Sequence, residues 1–421
     1  MTARLAAECG VMRRPVHVMK RQLHRRHRGV VEIMVNESGL SVAVVGCGYW
    51  GSKHVRVLHS TDGVGQVVLV DERESRLEQL ARIYPGAPRF TSLRAALADI
   101  DAVVIATPPT THVPAALEAI EAGKHALVEK PLAATSAGAR RLIQAADQAG
   151  VTLMVGHTFE YNPAVWKLRE LIHGQSLGEI YYLDSARLNL GLYQSDVNVI
   201  LDLAPHDLSI INYVLGDTPR AVQAWASRHA HPRFEDVAYL RLFYNDERLS
   251  ANVHVSWLDP CKVRRITAVG SEKMAVYDDL AADEPIRVLD RGVQAPSSTE
   301  DFTQPPMSYR YGDITAPFVA PEEPLGVQDR HYVECVLSGA VPNTDGACGL
   351  AVVEVLECAQ MSLELGRPVD LEELATDHRT RIPAASLHRV GPRPWLRDHL
   401  AAAWDGPAYR ERPQTQPAGA V

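Results

Sequence analysis

The sequence predicts an α/β protein in which a doubly wound parallel sheet is followed by a second α/β domain with a large, mostly antiparallel sheet. Over residues 40–155, short apolar runs alternate with amphipathic stretches of about 10–15 residues, which is the pattern of βαβ units. Beyond residue 175, alternating and β-branched runs succeed one another with short turns, as in an antiparallel sheet. The 421 residues are enough for two domains.

The first predicted strand and helix flank a glycine-rich turn. The apolar run 42–45 is followed by Gly46, Gly48 and Gly51, and then by a sequence suited to a helix. In this G-x-G-x-x-G pattern the first glycine permits a tight turn, the second lets the backbone approach a pyrophosphate, and the third lets the helix pack close to the strand. Bare N–H groups at the helix start then face the phosphates. The turn therefore predicts a dinucleotide site.

An acidic residue ends the second predicted strand. The apolar run 67–70 leads to Asp71, 20 residues after Gly51, and a dinucleotide site places an acid at about that distance to hold the ribose 2′-hydroxyl. A 2′-phosphate would meet this carboxylate, so we expect NAD rather than NADP, although Arg73 and Arg76 weaken that preference. An ordinary glycine-rich turn is the alternative, disfavoured because strand, glycines, helix, second strand and acid all occur in order.

Side chains directly after the later strands are further candidates, because ligands bind at the carboxyl ends of parallel strands. Lys130, in the string EKP, could hydrogen-bond a substrate hydroxyl and stabilise the developing alkoxide; a solvated loop lysine is the alternative. The other residues near these strand ends could line a nicotinamide or substrate pocket or simply pack in the core: Thr107, Pro108, His112, Glu129, His157, Phe159, Tyr161 and Asn162.

The second domain is predicted over residues 158–376, and its candidate acid–base pair lies in the apolar segment 198–215. Asp202 and His206 are four residues apart, which on a helix places them on one face, so that the carboxylate could orient an imidazole that takes a proton from an alcohol. Pro205 disfavours an uninterrupted helix here. The alternative is a helix that begins at Pro205, in which the pair only satisfies helix-end groups.

The remaining stretches are predicted from composition. Residues 294–322 are rich in Pro, Ser, Thr and Asp and predict a long loop, followed by helices at 327–339 and 348–366. Residues 1–36 carry seven Arg and one Lys against two Glu, a net charge of +6. We predict a disordered leader there, or a start codon placed upstream of the true one at Met34; a nucleic-acid arm is the alternative. Residues 37–157 form the predicted NAD(P)-binding domain, and residues 377–421 a Pro/Arg-rich tail.

Composition also limits the class of protein. The net charge of −8 argues against a nucleic-acid binder, and no apolar run approaches the roughly 20 residues of a membrane helix. The six cysteines are scattered, without metal-ligand spacing or a disulfide framework. We therefore expect a cytoplasmic protein with no metal site, no nucleic-acid partner and no membrane partner.

Taken together, the motifs resemble a known family. GCGYWG, Asp71, ATPPTTH, EKP and the D-x-x-x-H of Asp202 and His206 occur in the order and spacing of the Gfo/Idh/MocA oxidoreductases, and the resemblance covers residues 40–371. It implies a Rossmann domain followed by an α/β domain whose open-faced sheet makes homodimer or homotetramer contacts. It also implies NAD(H) or NADP(H) and the oxidation of a sugar or cyclitol hydroxyl, or the reverse reaction.

The resemblance assigns roles by motif. Lys130 is implied to be the catalytic lysine, Asp202 its partner and orienter of His206, and His206 the general base. The implied cofactor-binding residues are Gly46, Gly48, Tyr49, Trp50, Gly51, Asp71, Arg73, Thr107, Pro108, His112, Glu129 and Lys130. The implied substrate-binding residues are Lys130, His157, Phe159, Tyr161, Asn162, Asn198 and His206.

Two strings indicate the substrate class. NVILDLAPHDLSI and the later SWLDP are similar to members that act at C3 of UDP- or TDP-linked sugars in aminosugar, deoxysugar or antibiotic pathways. Ala204 and Pro205 stand where many members have glycine before the histidine, which counts against inositol or free glucose. We expect an NAD-dependent dehydrogenase of a nucleotide-linked sugar. The alternatives are a ketosugar reductase, an inositol or sugar dehydrogenase, and a non-catalytic NAD-binding sensor or co-regulator.

Overall fold

The computed structural model describes residues 39–191, 193–194, 197–230, 232–294 and 307–376. The predicted leader at 1–36 and the predicted tail at 377–421 lie outside the described residues. Within the described ranges the chain forms two sheets, one of six strands and one of nine.

The first sheet is parallel, with strand order β3-β2-β1-β4-β5-β6. Its strands are β1 (Leu40–Val45), β2 (Val64–Val70), β3 (Arg89–Phe90), β4 (Ala102–Ile105), β5 (His125–Glu129) and β6 (Leu153–Gly156). Its helices are α1 (Tyr49–Leu58), α2 (Glu74–Ala81), α3 (Leu93–Ala96), α4 (Pro109–Glu121) and α5 (Ser136–Ala149). This order confirms the predicted doubly wound Rossmann sheet, and it brings the residues that follow β1, β4, β5 and β6 to one edge.

A short 3₁₀ turn, Thr158–Tyr161, and α6 (Pro163–His173) lead into the second domain. The helix that carries the candidate acid–base pair is α7 (Val199–Leu215), and Pro205 lies inside it. The alternative of a helix that begins at Pro205 is therefore wrong. The Asn198 side chain caps this helix by accepting a hydrogen bond from the Leu201 N–H at 3.1 Å. Asp202 and His206 consequently lie one turn apart on the same helix.

The second sheet has the order β14-β13-β12-β11-β7-β10-β9-β8-β15. Its strands are β7 (Ile180–Leu190), β8 (Ala221–Ser227), β9 (Val237–Phe243), β10 (Ser250–Ser256), β11 (Leu258–Gly270), β12 (Met274–Asp278), β13 (Ile286–Gln294), β14 (Ser308–Thr315) and β15 (Val369–Asp370). Of these pairings only β7 with β10 is parallel, so the predicted mostly antiparallel sheet is confirmed. The predicted loop at 294–322 is wrong in part, because β14 lies within it.

Two long helices near the end of the described chain, α8 (Pro324–Ser338) and α9 (Gly346–Leu365), complete the cores before the short α10 (Glu373–Thr376). On α8, Tyr332, Val333 and Val336 are buried in one cluster with the apolar residues of β1 and β2. Of the helices that the structure describes, only α9 is long and apolar enough to cross a membrane, and 56% of that apolar window is buried in the protein. The core of the first domain is thus completed by helices that lie almost 300 residues further along the chain than its first strand.

Candidate active site

The glycine-rich turn has the shape that a pyrophosphate requires. Gly46 has φ +90°, and a Cβ there would lie 2.8 Å from the Ala106 carbonyl oxygen. A Cβ at Gly51 would overlap the carbonyl oxygen of Gly46, whereas a Cβ at Gly48 would point into open space. No side chain caps the start of α1, so the N–H groups of its first turn remain available for an anion. The turn therefore fits the diphosphate of a dinucleotide.

The Asp71 carboxylate is held by two backbone N–H groups at the end of β2. One carboxylate oxygen accepts a hydrogen bond from the Cys47 N–H at 2.8 Å, and the other accepts from the Arg73 N–H at 2.9 Å. The carboxylate is nearly buried, while the Arg73 side chain is largely exposed. Burial, together with Asp71, raises the pKa of the Cys47 thiol to about 12, so this cysteine is a small core residue rather than a nucleophile.

The loop after β4 is tied to the loop after β5 by His112. Its Nδ1 lies 2.8 Å from the Pro131 carbonyl oxygen and its Nε2 lies 2.9 Å from the Thr107 carbonyl oxygen. Burial lowers the pKa of His112, so the neutral ring donates a hydrogen bond to one of these carbonyl oxygens and packs against the other. Pro108 is the N-cap residue of α4. The Thr107 hydroxyl is buried and has no partner within the described part of the chain, so it remains available to a bound group.

Two predicted cofactor-loop aromatics are on the surface. Tyr49 is 74% exposed and Trp50 is 42% exposed, and their rings meet edge to face with centroids 5.8 Å apart. The Lys53 ammonium lies 4.7 Å from the centre of the Tyr49 ring. These three side chains thus contact one another at the surface, with Tyr49 and Trp50 between Gly48 and Gly51 in the chain and Lys53 shortly after Gly51.

Lys130 reaches from the first domain to helix α7 of the second. Its Nζ donates a hydrogen bond to the backbone carbonyl oxygen of Asp202 at 2.7 Å and lies 3.5 Å from the nearer carboxylate oxygen. The other carboxylate oxygen of Asp202 accepts a hydrogen bond from the Trp257 indole at 3.0 Å. The structure thus brings together Lys130 and Asp202, which the sequence places 72 residues apart.

His206 is a neutral base beside this pair. Its Nδ1 is buried and, among the described residues, has no hydrogen-bond partner. Burial, reinforced by the positive charges of Lys130, Arg187 and Arg264, holds the pKa of His206 well below its usual 6.5. Asp202 directs its oxygens at Lys130 and Trp257, so the expectation that it orients His206 is corrected: it is the partner of the lysine.

His157 is also neutral and unpaired. Both of its ring nitrogens are buried without a partner in the described chain. Burial is the main cause that lowers its pKa to about 4, and the nearby Lys130 acts in the same direction. As a neutral imidazole, His157 therefore keeps one buried donor and one buried acceptor without a partner among the described residues.

Three predicted substrate residues instead have structural partners. The Tyr161 hydroxyl is hydrogen-bonded to the Thr344 hydroxyl at 3.0 Å and is almost fully buried. Asn162 caps α6 and donates to the Tyr277 hydroxyl at 3.1 Å. Asn198 caps α7 and donates to Glu235 at 3.1 Å. The Asn162 and Asn198 amides stabilise the first turns of α6 and α7, and the Tyr161 hydroxyl makes a hydrogen bond in the core.

Phe159 lies beside His206 and beside two arginines that the sequence did not single out. Its ring meets the His206 ring edge to face with centroids 5.0 Å apart, and the Arg187 guanidinium lies 4.5 Å from its centre. Arg187 is buried and paired with Asp207 at 2.7 Å. Arg264, the residue directly opposite Arg187 on β11, lies 6.0 Å from the same ring. An arginine at an alternating strand position carries no signal of its own, so these two were missed.

Glu129 is a further case in which the predicted role changes. Its carboxylate accepts hydrogen bonds from His54 Nε2 at 3.0 Å and from the Lys130 N–H at 3.2 Å. His54 Nδ1 lies 2.9 Å from an Asp329 oxygen, and the three side chains are buried. Sequence reasoning missed His54 and Asp329. The only available signal was that His54 falls on the apolar face of α1 with Gly51, Val55 and Leu58.

One trio of potential ligands, His157, Glu160 and Cys348, has its ligand atoms within 4.8 Å of one another. The Cys348 thiol already donates to a Glu160 oxygen at 3.5 Å. Burial raises the pKa of Glu160 to about 8, so a protonated acid and a thiol explain this contact without an ion.

Comparison with known proteins places the chain in a family. Residues 40–157 match the sequence profile described as "Oxidoreductase family, NAD-binding Rossmann fold", and residues 165–276 match the GFO/IDH/MocA C-terminal domain. The chain therefore belongs to the GFO/IDH/MocA family of oxidoreductases, and NAD is the coenzyme of its first domain. The predicted family, enzyme class and coenzyme are confirmed.

Individual relatives include dehydrogenases of different substrates. A D-apiose dehydrogenase from Paraburkholderia graminis is 25% identical over 80% of this chain and 90% of that protein. A UDP-N-acetylglucosamine 3-dehydrogenase from Acidithiobacillus ferrooxidans is 33% identical over 44% of this chain and 57% of that protein. The crystal structure of GenD2 from gentamicin A biosynthesis, in complex with NAD, superposes with a TM-score of 0.66 at 29% identity, covering 79% of this chain and 96% of GenD2.

Proposed function

We propose that the protein oxidises a ring hydroxyl, at C3, of a nucleotide-linked sugar to a keto sugar, with NAD as the hydride acceptor. One observation carries the proposal: a neutral imidazole with a buried, unpartnered nitrogen lies next to an ammonium that is held at the carboxyl edge of the NAD-binding sheet. Dehydrogenation of an alcohol needs a base for the hydroxyl proton and a cation for the developing negative charge on oxygen. His206 and Lys130 supply these two groups.

The chain's own residues divide the proton chemistry between them. The lowered pKa of His206 keeps the imidazole neutral near pH 7, so it can take the hydroxyl proton. Lys130 donates a hydrogen bond to the substrate oxygen, while Asp202 and Trp257 hold the ammonium on its side of the pocket. NAD held at the glycine turn would supply the acceptor for the hydride that leaves the carbon bearing this oxygen. In this proposal His157 and Phe159 contact the sugar ring.

The preference for a nucleotide-linked sugar rests on the UDP-N-acetylglucosamine 3-dehydrogenase relative and on the strings around Asp202 and Trp257. The likeness to GenD2 supports a place in antibiotic biosynthesis. If the physiological reaction runs in the opposite direction, the protein is a ketosugar reductase. The D-apiose dehydrogenase relative, which spans most of the chain, favours a second candidate: a free sugar as the substrate. A non-catalytic sensor would not need Lys130 and His206 together.

A homodimer or homotetramer belongs to the same proposal. Trp225, Tyr239 and His254 lie side by side on β8, β9 and β10, with Tyr239 stacked on His254 at 4.0 Å and Trp225 5.8 Å from Tyr239. Trp225 and Tyr239 are about half exposed. We propose that a second copy covers this face in a cytoplasmic enzyme. Light scattering of Trp225→Asp beside the wild type tests this, and an unchanged mass would refute it.

The test of the function is an absorbance screen for reduced nicotinamide. UDP- and TDP-sugars, free sugars and inositol are each offered with NAD and with NADP, using wild type, Lys130→Ala, His206→Ala and the exposed-site control His59→Gln. We expect turnover with a nucleotide sugar and NAD, lost in the first two variants and kept in the control. Turnover of free sugars alone would replace the substrate proposal, and full activity of either alanine variant would refute its role.

A further inference from the structure

Two buried histidines, one on each side, hold the main chain next to Lys130. Before Lys130, the Glu129 carboxylate joins His54 Nε2, 3.0 Å away, to the Lys130 N–H, 3.2 Å away. After Lys130, the Pro131 carbonyl oxygen lies 2.8 Å from His112 Nδ1. Both histidines are almost completely buried, so neither contact is exchanged with water.

We propose that His54 and His112 are positioning residues that together fix Lys130 in the orientation in which its ammonium faces the substrate. This inference rests on the proposed function of Lys130. Neither histidine touches the pocket: all four ring nitrogens are within 3.1 Å of protein oxygens. We infer that they act on the reaction through the backbone they hold, above all that of Glu129 and Pro131 on either side of Lys130, and not by contact with a ligand.

The hydrogen bonds of His54 connect three separate parts of the chain. His54 lies on α1, directly behind the glycine turn; Glu129 ends β5; and Asp329 lies on α8. Asp329 also accepts a hydrogen bond from Gln328 at 3.2 Å, and Gln328 accepts one from the Thr158 hydroxyl at 2.8 Å. Thr158 follows the pocket residue His157. The network therefore ties the phosphate turn, Lys130 and His157 to one buried frame.

The neighbouring strand leaves a space that fits the Glu129 carboxylate. A Cβ at Gly156 would lie 2.8 Å from Glu129 Oε1, so only glycine at the end of β6 leaves room for the carboxylate. Burial alone would lower the pKa of His54, but Asp329 and Glu129 outweigh it and raise that pKa to about 10. The imidazole thus carries a charge between two carboxylates, which makes both hydrogen bonds charge-assisted.

His112 restrains the backbone after Lys130 and the neighbouring loop after β4. Its second nitrogen lies 2.9 Å from the Thr107 carbonyl oxygen, so the ring is packed between Pro131 and the turn after β4 and donates to one of the two carbonyls. Thr107 carries a buried hydroxyl that has no partner among the described residues. Movement of His112 would consequently shift Lys130 and this loop together.

The experiment is a double-mutant cycle on kcat. His54→Gln, His112→Phe and the control His59→Gln are each made in the wild type and in Lys130→Met, and kcat, substrate KM and NADH affinity are measured. We expect the first two to lower kcat about 10- to 100-fold, because small displacements of a positioned group cost that much, with substrate KM and NADH affinity changed less than about threefold. In Lys130→Met the same changes should alter kcat by less than about threefold.

An equal fall of kcat in both backgrounds would overturn the inference, because the histidines would then act on folding in general and not through Lys130. A crystal structure of His54→Gln gives a second readout that needs no activity. We expect the 2.7 Å contact from Lys130 Nζ to the Asp202 carbonyl oxygen to be lost, and its preservation would contradict the proposal. Asp329→Asn serves as the substitute if His54→Gln does not fold. A wild type without sugar-dependent NAD reduction would refute the proposed function instead.

Discussion

The histidines on the two sides of Lys130 differ in how their ring nitrogens are used. On the coenzyme side, His54 and His112 have a protein oxygen within 3.1 Å of every ring nitrogen. On the side of α7, His157 and His206 leave three ring nitrogens buried without a partner among the described residues. A buried polar group without a partner costs about 1–3 kcal/mol. The first pair therefore stabilises the frame, and the second pair keeps groups available for a ligand.

The largest expected effect tests the unpaired side. His206→Asn should lower kcat/KM about 10²- to 10⁴-fold, because the general base is lost. The free energy of unfolding should change by less than about 1 kcal/mol, since Nδ1 of His206 has no partner to lose. Steady-state kinetics and urea unfolding of the same preparations check both parts. A large loss of stability would show that His206 is a structural residue.

The second prediction tests the paired side. His54→Gln should lower the free energy of unfolding by about 3–5 kcal/mol, because it leaves the buried Glu129 and Asp329 carboxylates without their shared cation. Urea unfolding at pH 7 measures the loss, with the exposed His59→Gln as the matched control. Equal stability of the two variants would mean that the buried cluster contributes little.

The third prediction uses pH to separate charge from packing. In the folded protein, Asp329 and Glu129 raise the pKa of His54 from 6.5 to about 10 against the effect of burial. The resulting stabilisation is complete below pH 6.5 and is lost as the pH rises from 6.5 through 10. Wild type should therefore lose more stability than His54→Gln between pH 7 and pH 10. Parallel curves of unfolding free energy against pH would contradict a charged His54.

The smallest effect is expected at His157. His157→Leu removes two buried nitrogens without partners and should raise the free energy of unfolding by about 1–2 kcal/mol. The substrate KM should rise, because the pocket loses a donor and an acceptor. His59→Leu, at an exposed position, controls for the added apolar surface. If His157→Leu destabilised the protein, its nitrogens would have to be satisfied in the folded chain.

Features encoded by local pattern could be predicted from the sequence. The glycine turn, Asp71 and the strand ends follow from periodicity and spacing, because a parallel sheet brings those ends to one edge. Lys130 was placed correctly for the same reason. Asp202 and His206 were paired by their spacing on a helix, but spacing gives no information about which neighbour each side chain contacts, so the role of Asp202 toward His206 was assigned wrongly.

Features that depend on distant contacts could not be predicted. His54 and Asp329 are 275 residues apart, and an isolated histidine on an apolar helix face predicts only burial. Pro205 was weighed by its cost to a helix, while the packing of α7 in the core, which tolerates it, involves strands far along the chain. Strand β14 lies in a segment whose Pro- and Ser-rich composition hides the pairing with β13.

The return of α8 to the first domain has a consequence for synthesis. When the ribosome has made the entire six-stranded sheet, His54 still lacks Asp329, and the apolar surface later covered by Tyr332, Val333 and Val336 is still open to water. Chains fold from the amino terminus as they emerge, so the nascent nucleotide-binding half must wait, incompletely sealed, until the second sheet has been translated. The buried frame behind Lys130 is therefore complete only after α8 has been translated.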